Sequence, residues 1–335
     1  KTYMRYNDIL LDDDLDDLKT KVKVAVDRVQ QPELLNKVYS HLRKTTLGGM
    51  TQIAFQKDED AKKYLKRLSI ILLDMEEPAE QKARFLREFG RKSFIKERSL
   101  FRPDGKIKGM DTWFNGDAFA RKFFLQLFSD SALLARPKGP GEVAVAALSP
   151  KVTLKQDGDL GYGNLEVEVK AQSLTSRGSG EWTNKGAATA PVTDAFKKNK
   201  LDTTNVPTKI VSGGGQRQAA KSVNVTQVIQ ATKLPLGSQK KVFLDVLQGA
   251  YPEADPGILK ATASKYPNHT IEDYAKCSFD AYKKSQGFNT MLLLNATDND
   301  VQSMCFSDLD QVQGGKYGTF YMQGGQTGPH ARLNL

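Results

Sequence analysis

The stretch from Gly139 to Ala171, "GPGEVAVAALSPKVTLKQDGDLGYGNLEVEVKA", decides the fold, because it sets Glu142, Asp159, Glu168 and Lys170 into an apolar, glycine-rich run. Glu142 follows "KGPG" and precedes "VAVAAL", which places it in the first turn of a short apolar helix. "GDL" opens one strand and "NLEVEVKA" forms the next, with the turn "GYGN" between them. Strand side chains alternate, so Glu166, Glu168 and Lys170 share one face, while Leu165, Val167, Val169 and Ala171 share the other.

With Asp159 at the head of the first hairpin strand, its carboxylate comes near Glu168 and the incoming Glu142. Carboxylates gathered at one point repel unless a cation neutralises them, and hard oxygen donors with open water positions suit Mg²⁺ or Mn²⁺. Lys170, one alternation from Glu168, is then placed to orient a water or offset charge on a phosphate. An exposed strand face of alternating Glu and Lys is the plain alternative for "EVEVK" alone. The upstream Gly-Asp pair and Glu142 tip the balance toward a site.

The order Glu142, Gly158-Asp159, Glu168-x-Lys170 resembles the PD-(D/E)xK nuclease superfamily. The resemblance implies an α/β fold with a restriction-endonuclease-like αβββαβ core and a mixed sheet. Its leading helix carries Glu142, its hairpin carries Asp159, Glu168 and Lys170, and residues 270–286 and 290–296 supply the trailing helix and strand. It also implies a Mg²⁺-dependent (or Mn²⁺-dependent) DNA endonuclease, with Asp159 and Glu168 as metal ligands, Glu142 as a further ligand or water-holding carboxylate, and Lys170 as the catalytic cation. Gly158 stands where the family's usual Pro precedes the Asp, which removes no ligand. The wording "GPGE…GDL…VEVKA" also looks like nuclease-like proteins of large tailed phages, so the alternative function is a catalytically silent structural or assembly protein of a phage particle. A DNA-binding module with a degenerate site is a third possibility. Many superfamily members act as dimers, which makes a homodimer or virion assembly partners the expected protein partners besides DNA.

Around this core the chain divides by composition. Residues 8–130 carry Leu, Val and Phe at spacings of three and four among many Lys, Arg and Glu, which predicts an α-helical N-terminal module over 1–130 and a nuclease-like domain over 131–335. In "EEPAEQKARFLREFGRKSFIKERS", Pro78 fits a first turn and Ala83, Leu86 and Phe89 form an apolar stripe. A second helix over 117–129 offers Phe119, Phe123, Phe124 and Leu127 to a core, with Trp113 packed beside them. The acids Asp12, Asp13, Asp14, Asp16 and Asp17 lack the glycine and closing glutamate of a calcium loop and fit a solvated helix start.

From about residue 172 to 232 the chain turns polar and loop-like, predicting a flexible insertion. Between Ala171 and Lys233 nine basic residues face three acidic ones. Lys197, Lys198, Lys200, Arg217 and Lys221 are candidate phosphate contacts there, with Trp182 near a base or the backbone. Beyond it, Thr270 caps a helix that Gly287 ends, and "TMLLLNA", "VQSMCFS" and "ARLNL" read as strands.

The formal charge of +10 attracts polyanions. No apolar run nears the roughly 18 residues of a membrane span. Cys277 and Cys305 suggest neither a disulfide framework nor a zinc cluster, and the acidic N-terminal stretch does not resemble a signal peptide. A cytoplasmic setting follows, in the host cytoplasm or the virion for a phage-encoded chain. The first residue is Lys1 rather than Met, so a trimmed start is expected. His41, His269 and His330 sit beside no ligand pair, and "SGGGQRQ" lacks the Gly-Lys-Ser/Thr of a phosphate loop.

Overall fold

A computed structural model describes residues 32–44, 58–129, 139–155, 159–172, 174, 190–204, 206, 225–297, 300–321 and 329–335. The chain is an α/β protein that divides into two compact units: Lys1–Ala171 with Phe288–Gly314, and Gln172–Gly287 with Gly315–Leu335.

The first unit is built on a five-stranded mixed sheet, in the order β1 (Thr153–Leu154), β2 (Leu160–Tyr162), β3 (Leu165–Lys170), β4 (Thr290–Ala296) and β5 (Val301–Phe306). β1, β2 and β3 form an antiparallel meander, β4 runs parallel to β3, and β5 is antiparallel to β4. β4 lies between two strands, which explains its uninterrupted apolar run: Met291 to Leu294 are all buried. A parallel pair needs a crossover connection, and between β3 and β4 that connection holds most of the second unit.

Seven helices complete the described part of this unit: α1 (Pro32–Arg43), α2 (Asp58–Asp74), α3 (Ala79–Glu88), α4 (Glu97–Leu100), α5 (Met110–Trp113), α6 (Ala118–Ser129) and α7 (Pro140–Ala147). They do not form a separate module over residues 1–130. Leu65, Leu68 and Leu72 of α2, Phe85 of α3 and Phe123 of α6 share one buried core with Val143 of α7, Val167 of β3 and Leu292 of β4. A helix with a strong apolar face must bury it against something, and here the sheet side of the same unit supplies the surface. Phe119, Phe123, Phe124, Leu127 and Trp113 are buried as expected. Of the stripe expected at α3, Phe89 is buried and Leu86 packs partly buried against the core, while Ala83 is exposed and Phe85 is buried instead. Phe85 lies 4.9 to 5.4 Å from the rings of Phe89, Phe94, Phe119 and Phe123.

The second unit contains α8 (Ala190–Lys198), α9 (Val225–Ala231), α10 (Leu236–Ala250), α11 (Pro256–Ser264), α12 (Ile271–Gln286) and a hairpin of β6 (Lys316–Tyr321) with β7 (Pro329–Asn334). α12 has a full capping box, in which Thr270 and Asp273 exchange side-chain to backbone bonds, and it ends at Gly287 with φ 72°. β7 buries Ala331 and Leu333, the alternation read from "ARLNL". The described residues of the stretch expected to be a loop-like insertion are largely helical. Val192, Ala195 and Phe196 of α8 and Val225 and Ile229 of α9 bury into a core with Val242, Phe243 and Val246 of α10. Their i, i+3, i+4 spacing overrides the polar composition around them. The expected domain of 131–335 is thereby split, with its sheet in the first unit and α12 in the second. Among the described residues, no helix is long and apolar enough to cross a membrane.

Candidate active site

Four side chains predicted as a site come together in the first unit. Glu142 lies in the first turn of α7, where Pro140 presets the helical φ and Gly139 supplies the extended residue before it. α7 is apolar nearly all round and buried, so its one acid is carried inside with it, at 9% exposure. Gly141 permits this depth: a Cβ there would lie 3.0 Å from Phe128 and 3.5 Å from Leu294.

Asp159 stands one residue before β2, and its Oδ2 accepts the Val169 N–H at 2.7 Å. The β2–β3 ladder reaches only as far as Leu160 opposite Val167, so the Asp159 carboxylate serves as acceptor where the neighbouring strand has run out. That bond fixes the carboxylate against the residue between Glu168 and Lys170.

Glu168 is 6% exposed and its Oε1 accepts a hydrogen bond from the Lys170 ammonium. The same Nζ lies 3.9 Å from Asp159 Oδ2 and donates to the Val169 carbonyl at 3.3 Å. Burial alone favours losing the Lys170 proton, but Asp159, Glu168 and Glu142 together outweigh it and hold its pKa above the ordinary lysine value. Lys170 therefore reports all three carboxylates at once, Glu142 most weakly.

Glu166, two residues back on β3, is about half exposed and held by Lys155. It belongs to a solvated ion pair rather than to the cluster. Asn289 had no signal in the local sequence, yet its side chain accepts the Glu166 N–H at 3.0 Å and donates to the Asn164 carbonyl at 3.1 Å. It ties the hairpin to the head of β4 across 123 residues of chain, and only the paired strands reveal it.

Among the described residues, no three or more His, Cys, Asp or Glu side chains are set as a metal cage. The donors fit a different kind of cation. Mg²⁺ keeps several of its waters and is commonly held by one or two carboxylates, so Asp159 and Glu168 suffice as its protein ligands. Both are hard oxygen donors, and they flank the same ammonium.

The candidate phosphate contacts fall elsewhere. Lys197, Lys198 and Lys200 end α8 in the second unit, with Lys197 and Lys200 exposed and Lys198 paired to Asp245 at 2.6 Å. Arg217, Lys221 and Trp182 lie outside the described residues, as do Asp12, Asp13, Asp14, Asp16 and Asp17. Cys277 and Cys305 are both buried, and burial pushes their thiols up to about 11 and about 12, which suits packing rather than reactivity. Comparison with protein-family models, with curated proteins and with solved structures found no match.

Proposed function

We propose that the chain is a metal-dependent DNA endonuclease of the PD-(D/E)xK kind, with Asp159, Glu168 and Lys170 as its chemical centre. The observation that carries this is the ammonium of Lys170, at the end of β3, hydrogen-bonded to Glu168 and 3.9 Å from Asp159 Oδ2. Element order adds support: α7, then the β1–β2–β3 meander, then β4 parallel to β3, with α12 immediately before β4 in the chain.

In this reading Asp159 and Glu168 would hold Mg²⁺ or Mn²⁺, with Glu142 as a further ligand or a water-holding carboxylate. The ion, when bound, supplies Lewis-acid stabilisation of charge on the phosphodiester. The remaining tasks fall to the chain. The Val169 amide locks the Asp159 carboxylate, Glu168 positions the Lys170 ammonium, and that ammonium, protonated across the physiological range, offsets charge on a phosphate oxygen.

The test is cleavage of supercoiled and linear DNA with Mg²⁺, Mn²⁺ or EDTA. Metal-dependent cutting is expected from the natural chain. Asp159→Ala is expected to lose it by at least about a thousand-fold, on the scale of removing one essential electrostatic group. A folded Asp159→Ala protein with full activity, or a folded natural chain inactive with every metal, ends the proposal.

A further inference from the structure

The chain's excess positive charge belongs almost wholly to one unit. The second unit carries 18 Lys and Arg against 9 Asp and Glu, a net +9 of the chain's +10, which leaves the first unit with 31 against 30. Net charge alone says only that a polyanion is attracted, so the arrangement of the lysines decides more.

α8 runs antiparallel along α10. Pro191, at its start, sits where a Cβ on Gly249 would meet it at 3.4 Å, and Lys198, at its end, bonds Asp245. The chain leaving α8 at Lys200 therefore lies toward the first turns of α10. There Lys241 stands one turn before Asp245, and Lys240 reaches the Ser264 carbonyl at 2.7 Å. Lys233 precedes the same end of α10 by three residues. Asp245 is the acid at the centre, 8% exposed and already shared by Lys198 and Asn199. Lys197, Lys200, Lys233 and Lys241 are exposed.

Two of these lysines occupy positions that favour glycine. Among the described residues, Lys200 (φ 56°) and Lys233 (φ 55°) are the two non-glycine residues with left-handed backbone, and both end helices. At α8 the Lys200 and Leu201 N–H groups bond the Lys197 and Phe196 carbonyls at 3.0 and 2.9 Å, a closure usually completed by glycine. A lysine within the last turn would meet the helix dipole without this backbone cost. Retaining a charged side chain at both points is what a surface selected for charge would do.

We infer that the lysines at this end of α8 and α10 form a docking surface for the phosphate backbone of double-stranded DNA. The choice of DNA among polyanions rests on the proposed function. The choice of duplex rests there too, because the substrates of the proposed reaction are supercoiled and linear duplex DNA. Lysine point charges read no sequence, so the surface is indifferent to it. Because the second unit is joined covalently to the first, DNA held there is presented to the rest of the chain at a raised effective concentration.

The test is binding of the full chain to a labelled duplex of random sequence, in EDTA, across a salt series. Four lysine contacts predict a loss of about a hundred-fold in affinity between 50 and 200 mM salt. Lys200→Gly with Lys233→Gly should weaken binding by about tenfold or more and lower the salt slope by roughly two, with an unchanged or higher melting temperature. Adding Lys197→Gln and Lys241→Gln should lower the slope by roughly two more. Arg98→Gln with Lys106→Gln, exposed bases of the first unit, should change affinity less than about twofold. The inference is overturned if the four-lysine variant binds like the natural chain, if the first-unit pair weakens binding as much, or if anionic vesicles bind and duplex does not. Since binding is read without metal, loss of binding in the lysine variants upholds the surface even where the natural chain cuts nothing, and cutting that survives those variants upholds the site without the surface.

Discussion

The two units treat charge in opposite ways. Among the described residues the first unit buries Glu97, Lys108, Glu142 and Glu168, while the second buries only Asp273, a helix-capping acid, and leaves its lysines in solvent. A buried charge costs several kcal/mol unless it is paired and hydrogen-bonded. In the first unit Glu97 takes the Ser93 and Ser149 hydroxyls at 2.6 and 2.7 Å, and Lys108 lies 2.9 Å from both the Ser99 carbonyl and Asp104. At Glu168 the partner is Lys170, whose ammonium is also acted on by Asp159 and Glu142. The contrast teaches that the same charges are used in two ways: a buried, hydrogen-bonded cluster in one unit, exposed lysines in the other.

The comparison breaks first if the units are not independent in stability. Phe85→Ala removes the ring at the centre of the first unit's aromatic cluster, and Phe243→Ala removes one that stacks on His269 at 4.5 Å and Tyr266 at 5.1 Å in the second. Each should cost about 3–5 kcal/mol of its own unit's stability. Followed by hydrogen exchange resolved along the chain, Phe85→Ala should raise exchange in β3 and β4 more than in α10, and Phe243→Ala the reverse. Equal loss of protection everywhere from either variant would show one cooperative body and dissolve the comparison.

How much of this was legible depends on the range of the interaction. The α12 ends, the alternation of β3 and the apolar run of β4 are set within a few residues, by Thr270, Gly287 and the pattern "TMLLL", and all three were readable. The hairpin turn was read as bringing Asp159 toward Glu168, and the structure sets both beside the Lys170 ammonium. The unit boundaries were not readable, because the parallel pairing of Val167 with Thr290 is decided by contacts more than a hundred residues apart, and composition does not record them. The polar stretch hid α8 because its four buried residues, Pro191, Val192, Ala195 and Phe196, are matched in number by Thr193, Asp194, Lys197 and Lys198. At α3 the expected stripe failed only at Ala83, since Ala83 and Phe85 both fit a helical period and packing chooses the larger ring.

A sharper test lies in the cluster itself. Lys170→Met keeps much of the side-chain volume and removes the ammonium, leaving Asp159 and Glu168 facing each other at reduced exposure. The first unit should lose about 2–3 kcal/mol, somewhat less than for a fully enclosed pair because the lysine retains some solvent contact. Millimolar Mg²⁺ should then raise the melting temperature of Lys170→Met more than that of the natural chain, since an ion bound only by the folded state stabilises it and now has no ammonium to compete with. An equal Mg²⁺ response in both proteins would mean that Lys170 does not share the carboxylates' space with a cation.

The smallest expected effect separates the units by pH. His269 in the second unit is half-buried between Phe243 and Tyr274, and burial lowers its pKa, with Asp273 pulling the other way. A histidine depressed in the folded state contributes stability that is complete above its unfolded value, about 6.5, and is lost as pH falls toward the folded one. Lys170 has the opposite sign: its raised pKa contributes stability that is complete below about 10.4 and is lost as pH climbs through the folded value. Acidification from pH 7 to 5.5 should therefore loosen the second unit and leave the first nearly unchanged, because the first unit's lowered carboxylates, Glu97 and Asp104, lose their contribution only at more acid pH. His269→Phe keeps the ring stack and removes the titration, so its second unit should show no such loosening. If the natural protein's second unit is as pH-insensitive as that variant over the same range, His269 is not held neutral by its aromatic surroundings, and the charge contrast between the units rests on lysine placement alone.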